Sequence, residues 1–469
     1  MKKYFILSVL LLVSGFFASC NYLNIDDYFE DTFQEDSIYA NKRNIERYFN
    51  ARRSAAALLP VVDKIWEYGN TPGVTGSDEA VSCGDWNGMV VIQFSGTKLM
   101  NNEITSSSMG GWTWDFNIWP KCYKVIRKVN TILPHIDGVR DMNSFERMEF
   151  RAKCRFLRAY AYYLILQQNG PMILLGDEIV SNNEEAEYYA RTRNTYDECV
   201  DYIVAEFEEA AIHLEQERST AYLGMATKGA ALAARAKVLL YAASPLYNGN
   251  HDLFELKDEA GNPLINQNYD ERKWARAAAA AEEVINTGWY ELYTVPVSEE
   301  TVLPPAEVRS REFPYGCGGI DPYESYRQLF NGAIRDMKDN REFIFYRQFN
   351  NAGATGGEDL IDLVKHSYPH KSGWDGWNTN AVSLKQVDAY YMFDGRDKDN
   401  ASEGYPYHED GFITADDADS VYKFVNRASE EKYQVSRVLE TGSLVSMPRF
   451  PLTVVCGRAK MHIKTRMAL

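Results

Sequence analysis

Three helical phrases, each led by an aromatic residue, recur at nearly constant spacing and restrict the possible folds more than any other feature of the chain. "WPKCYKVIRKVNTIL" (119–133) sets Trp119, Cys122, Tyr123, Ile126, Val129 and Leu133 at steps of 3 and 4, the period of an amphipathic helix. "TYDECVDYIVAEFEEAAIHL" (195–214) opens with Thr195 and, three residues on, Glu198, a capping box, then carries a stripe of Cys199, Ile203, Phe207, Ala210 and Leu214. "KWARAAAAAEEVINTG" (273–288) opens a third copy. Trp119, Tyr196 and Trp274 stand 77 and 78 residues apart.

A second helix follows each of the first two. In 145–168 one stripe is Phe150, Cys154, Leu157, Ala161 and Leu164, and another is Ala152, Phe156, Ala159 and Tyr163. Two stripes predict a helix packed on both sides. Gly170-Pro171 should end it, because glycine tolerates the left-handed C-terminal conformation and proline cannot continue a helix. "TKGAALAARAKVLLYAASP" (227–245) is the counterpart, stopped by Pro245, 74 residues after Pro171. The small residues of these second helices permit close nesting, the physical logic of tetratricopeptide-like units, although the spacing exceeds the usual repeat of about 34 residues.

The expected fold is therefore mostly α: tetratricopeptide-like helix pairs forming an α-α superhelix, with long loops and a few short strands. Residues 43–67 should be helical up to Pro60, and 69–117, rich in Gly, Ser, Asn and Trp, should form a long surface excursion. The best strand candidates are 171–180 and 341–349. Trp119 and Trp274, at the starts of repeat helices, are expected in the core.

The N-terminus reads as an export signal. Lys2 and Lys3 precede an apolar run to Phe17 and the small residues Ala18 and Ser19. That run is short for a bilayer span, and no later run approaches about 18 apolar residues. Cys20 could be a disulfide partner, a metal ligand or an anchor point. The seven cysteines (20, 83, 122, 154, 199, 317, 456) contain no C-x-x-C pair, so neither a zinc ribbon nor a disulfide framework is expected. Cys122, Cys154 and Cys199 read as small buried residues. Phe17-Ala18-Ser19-Cys20 resembles the lipobox of bacterial lipoproteins, with Phe17 where Leu is usual, which implies an acylated Cys20. Several acyl chains hold durably where one holds marginally.

Several ordered phrases extend the resemblance: "RFLRAYAYYLILQQNGPMILL" (155–175), "TYDECVDYIVAEFEEAA" (195–211), "ATKGAALAARAKVLLYAASPLYNGN" (226–250), "WARAAAAAEEVI" (274–285) and "VDAYYMFDG" (387–395). Together with the lipobox they resemble the RagB/SusD family of Bacteroidetes outer-membrane nutrient-uptake lipoproteins. That resemblance implies a signal peptide (1–19) and a SusD-like domain (20–426) whose portions 20–225 and 226–426 pack as one unit. It further implies a palmitate-type anchor at Cys20 on the outer face of the outer membrane, with Asp26 and Asp27 resembling a surface-export signal. The implied function is capture of a nutrient, above all an oligosaccharide or polysaccharide, for a partner TonB-dependent (SusC-like) transporter. Such a protein performs no chemistry on its ligand and needs no cofactor.

A sugar ring offers an apolar C–H face and a rim of hydroxyls, so its site pairs an aromatic platform with polar donors and acceptors. Loops supplying both give the glycan-binding candidates Trp86 and Asn87 ("CGDWNGM"), Trp112 ("GGWTWDF"), Tyr315 ("FPYGCGG"), and Trp374 and Trp377 ("SGWDGWNTN"). An aromatic content of 13%, with 31 tyrosines, exceeds what a core alone needs and puts some rings at the surface. A net charge of -16 and the lack of any Lys/Arg run argue against nucleic acid as a partner.

No H-E-x-x-H, G-x-S-x-G or Walker-type motif occurs, and no catalytic residue is assigned. "DGRDKDN" (394–400) lacks the Gly and distal Glu of a calcium loop and reads as a solvated turn. A helical-repeat scaffold for other proteins stays open as an alternative, as does a glycoside hydrolase, whose paired carboxylates meet only in space. Residues 427–469 carry eight Lys/Arg against three Asp/Glu and depart from the family's pattern. An out-of-frame tail beginning near residue 427 is expected.

Overall fold

A computed structural model of the protein describes residues 35–50, 77–78, 80–82, 99–100, 102–105, 117–181, 183–218, 224–301, 306–330, 333–334, 339–345, 380–389 and 396–403. The architecture is a row of helices, each packed on its sequence neighbour. Helix α1 is Lys42–Asn50 and realises the start of the predicted 43–67 helix, the rest of which lies outside the described residues. Then come α2 (Trp119–Ile132), α3 (Ser144–Asn169), α4 (Tyr196–His213), α5 (Lys228–Ala243) and α6 (Arg272–Asn286). Contacts run α2 to α3, α3 to α4, α4 to α5 and α5 to α6, the stacking expected of helix-pair repeats. Among the described residues, no helix is long and apolar enough to cross a membrane.

The helix starts follow from local chemistry. Thr195 Oγ1 accepts from the Glu198 N–H at 3.3 Å while Glu198 Oε2 accepts from the Thr195 N–H at 2.8 Å, the predicted capping box. Asn143 and Glu146 form a second such box ahead of α3, at 3.0 and 2.8 Å; its N-S-F-E sequence is equally legible. Gly170 ends α3 at φ 68°, where a β-carbon would be strained.

Both predicted stripes of α3 are used. Phe150, Cys154, Leu157, Ala161, Ala152, Phe156, Ala159 and Tyr163 are all buried, between α2 on one side and α4 on the other. Cys122, Cys154 and Cys199 are buried free thiols in this core. Burial pushes the Cys154 thiol up to about 12 and the Cys199 thiol to about 11, so both act as small uncharged fillers. At the start of α5, a β-carbon on Gly229 would sit 1.8 Å from Tyr290 Oη, so the tyrosine ring rests where only glycine leaves room.

The strands are few and short: β1 (Ala80–Ser82), β2 (Val295–Pro296), β3 (Ile320–Asp321) and β4 (Asn380–Val382). β1 pairs antiparallel with β4, and β2 with β3. The predicted strand at 171–180 does not form, and the described part of the one at 341–349 is not strand. Residues 171–180 begin with a bend, turn at 176–177 with Gly176 at φ 57°, and are otherwise irregular, and side chains take several of their backbone N–H groups. The Ile173 N–H donates to Tyr123 Oη (3.0 Å), the Leu174 N–H to Asn194 Oδ1 (3.0 Å) and the Leu175 N–H to Tyr162 Oη (3.0 Å). The described part of 341–349, residues 341–345, is turn and bend; Arg341 turns back to donate to the carbonyls of Gly288 and Trp289.

The two lead tryptophans part company. Trp119 packs against the core beneath the Arg193 guanidinium, 5.0 Å from its ring centre. Trp274 is 40% exposed, contrary to expectation, and shares an outward row on α6 with Ala278, Ala281 and Ile285, all exposed. The core of α6 is instead carried by Ala277, Ala280 and Val284.

Candidate ligand-binding surface

Of the sequence-predicted site residues, Tyr315 lies on a described loop. Cys20, Trp86, Asn87, Trp112, Trp374 and Trp377 lie outside the described residues, as do the tail 427–469 and the start of the domain.

Tyr315 crowns a tight turn between the short helix Ala306–Arg309 and β3. The Gly318 N–H donates to the Arg311 carbonyl (2.8 Å) and the Tyr315 N–H to the Glu312 carbonyl (3.0 Å), closing the loop on itself. A β-carbon on Gly318 would lie 2.8 and 2.9 Å from the Arg311 and Arg309 carbonyl oxygens, so the closure depends on glycine there. Below the turn, the buried Asp321 accepts from Thr301 Oγ1 (2.7 Å) and from the Glu324 N–H (2.9 Å), capping α7, Pro322–Phe330. Ser325 Oγ accepts from the Val295 N–H (2.8 Å), tying α7 to β2. On this base Tyr315 is 87% exposed and Phe313 38% exposed, with Arg309, Arg311 and Glu312 exposed in the same turn. An aromatic face, fixed by backbone closure and flanked by charged donors and acceptors, is the arrangement a sugar ring requires.

A second aromatic surface was not expected from the sequence. It rests on a buried polar cluster between α2, α3 and α4. Arg158, 1% exposed, donates to Glu206 Oε2 (2.9 Å), Asn130 Oδ1 (2.8 Å), the Gly176 carbonyl (3.0 Å) and Asp177 Oδ1 (2.6 Å). Arg155 reaches the other Glu206 oxygen at 3.0 Å. Burial pushes the Glu206 carboxyl up, against the pull of the two guanidiniums. Asn130 Nδ2 donates to the carbonyls of Gly176 (2.9 Å) and Glu178 (2.8 Å), and Arg127 Nε donates to the Val180 carbonyl (3.0 Å). The segment 176–180 is thereby lashed to the helices.

Glu178 leaves that segment and receives a two-pronged Arg191 guanidinium, with both N···O distances 2.6 Å, and the Tyr188 hydroxyl at 3.1 Å. Hydrogen bonds from Arg191 hold the Glu178 carboxyl below the usual carboxylate range. The guanidinium also lies 5.2 Å from the centre of the Tyr188 ring. Tyr189 meets Tyr188 edge-on with centroids 5.2 Å apart, donates to the Ser181 carbonyl (3.0 Å) and accepts from the Glu184 N–H (3.0 Å). Two adjacent tyrosines followed by an arginine, "YYAR", were the available sequence signal.

Asp397, from the acid-rich 394–400 segment, accepts from the Asn400 N–H (2.8 Å) and side-chain amide (2.9 and 3.0 Å), so its carboxylate closes the turn. Among the described residues, no group of three or more His, Cys, Asp or Glu converges to hold a metal ion.

Fold and surface together define a helical-repeat protein that offers aromatic platforms to solvent. Residues 66–240 match the SusD-like_3 family, described as "Starch-binding associating with outer membrane". Among solved structures, the protein BT4246 shares 24% identity at a TM-score of 0.52, the match covering 75% of this chain and 58% of that one. A SusD-like protein from Bacteroides fragilis shares 19% identity at a TM-score of 0.53, covering 82% of this chain and 59% of that one. The chain thus spans about three-fifths of the length of these structures. No curated protein sequence matches it. The segment 66–240 is SusD-like in sequence, and the chain is RagB/SusD-like in fold.

Proposed function

We propose that the protein is a cell-surface lipoprotein that binds a nutrient glycan and passes it to a partner TonB-dependent, SusC-like outer-membrane transporter without chemical change. The observation that carries this reading is the match of residues 66–240 to a family described by starch binding and outer-membrane association. The Tyr315 turn supports it, because an 87% exposed ring on a backbone-closed loop has no packing role and suits a sugar face. In this reading Cys20 anchors the mature chain, residues 20–426 form the SusD-like unit, and Trp86, Asn87, Trp112, Trp374 and Trp377 are further candidate glycan contacts.

Tyr315→Ala tests the site. It should weaken binding to whichever soluble polysaccharide retards the wild-type protein in native affinity gels by about tenfold, the size of one aromatic platform of about 1.5 kcal/mol. An unchanged affinity removes Tyr315 from the site. For the anchor, a Cys20→Ala variant should move from the outer-membrane to the soluble fraction; continued membrane retention would contradict lipidation.

A further inference from the structure

Tyr188, Tyr189, Glu178 and Arg191 form a built surface that the Tyr315 turn does not use. Both rings are exposed, at 38% and 40%, and their hydroxyls are committed to Glu178 and to the Ser181 carbonyl. With the hydroxyls already hydrogen-bonded, what these rings can still offer a ligand is their apolar faces. The two rings brace each other edge-on, and Arg191 braces Tyr188, so little side-chain freedom remains to be lost on binding. Glu178 Oε2, bonded to Arg191 alone among the described contacts, keeps acceptor capacity for an incoming hydroxyl. Arg158, Asn130 and Arg127 lash the 176–180 segment to the helices, and Tyr188 and Arg191, on and just after the short helix Ala186–Tyr189, are tied to it through Glu178, so the shelf is braced against the repeat scaffold.

Charge then selects among ligands with a suitable apolar face. Glu184, Glu185 and Glu187 are exposed in the same stretch as the two rings, while Asp177 and Glu178 are paired with Arg158 and Arg191. Arg191 is already neutralised by Glu178, and Arg193 lies over Trp119. The exposed Glu184, Glu185 and Glu187 outnumber the neighbouring cations Arg127 and Arg193, so an anionic ligand would meet a net repulsive field.

We propose that the Tyr188–Tyr189–Glu178–Arg191 shelf is a second glycan-binding subsite, selective for uncharged sugars over uronate-containing or sulfated ones. The proposal rests on the glycan-binding reading above and adds both a location and a ligand class to it.

The test is native affinity electrophoresis of the full chain through gels containing amylopectin, dextran, mixed-linkage β-glucan, arabinoxylan or galactomannan, and through gels containing polygalacturonate or chondroitin sulfate. At least one neutral polymer should retard the wild-type protein and neither acidic polymer should. The Tyr188→Ala/Tyr189→Ala variant should raise the apparent dissociation constant for that neutral polymer about tenfold, with an unchanged circular dichroism spectrum. Arg191→Gln, which keeps both rings, serves should the double variant misfold; it should weaken binding several-fold. Wild-type-like retardation of a folded double variant, or of Arg191→Gln where the double variant misfolds, would overturn the shelf while leaving glycan binding intact. Retardation by acidic polymers alone would overturn the neutral-ligand assignment, and the lack of any retardation would overturn the glycan reading itself.

Discussion

Replacing Arg158 by methionine should destabilise the protein more than any other single change in the helix row. The variant keeps the aliphatic volume but strands Glu206, 6% exposed, with Arg155 as its remaining cation. Breaking a buried pair by removing one partner costs about 3–5 kcal/mol, because the remaining charge has lost its compensation. Asp177 loses little, since its side chain is 80% exposed. The Gly176 carbonyl still accepts from Asn130. The Arg158→Met/Glu206→Leu double variant removes both charges, and Arg155, 30% exposed, can turn to water. What stays unsatisfied is chiefly Asn130 Oδ1, at a cost of about 1–3 kcal/mol. The double variant should therefore be more stable than Arg158→Met alone. Urea denaturation followed by circular dichroism at 222 nm reads both, with midpoints compared at equal slope. A double variant at least as unstable as the sum of the two single ones would refute the reasoning, since it would mean that the cluster stabilises by packing and not by mutual charge compensation.

Gly229→Ala should cost about 1–3 kcal/mol in the wild-type background, because the new methyl displaces the Tyr290 ring, and should become neutral or stabilising in a Tyr290→Ala background, where helix propensity alone acts. Thermal melts of the four variants show whether the sign changes. Thr195→Ala removes the α4 cap and should cost about 1 kcal/mol by the same measurement, with Thr195→Ser restoring most of it. The pH dependence of glycan binding at the shelf follows from Glu178. Its folded pKa is depressed, so the Arg191 fork is fully formed above the unshifted carboxylate value of about 4.3 and is lost as pH falls through the lower folded value. Affinity should stay level from pH 8 to 5 and fall below about pH 4, and a fall already complete at pH 6 would exclude Glu178 as the cause.

The helix row was legible because its signals are local: period, caps and stop residues sit within a few positions of the elements they specify. Phe150 through Tyr163 fell on the faces that periodicity assigned. Residues 171–180 misled because an apolar run cannot say where its N–H groups will go. Their acceptors, Tyr123, Tyr162 and Asn194, lie 13 to 50 residues away and act as single side chains, with no strand alongside. Trp274 misled differently: its position in the repeat matched Trp119, but the face of α6 that meets α5 is built from alanines and Val284. At the candidate site, the exposure of Tyr315 was legible from the glycine-rich loop that carries it. The Tyr188–Tyr189 shelf was not, because "NNEEAEYYARTR" has the composition of a solvated loop and its rigidity comes from Glu178 and the buried Arg158, ten and thirty residues upstream of Tyr188.

The central claim, that this chain captures a glycan and leaves it intact, is tested most directly by incubating the purified protein with the neutral polysaccharide that retards it, then measuring binding by calorimetry and reducing ends by anion-exchange chromatography on the same sample. Saturable heat with no new reducing ends is the predicted result. Reducing ends released in proportion to protein and time, or no binding to any member of the panel, would contradict it.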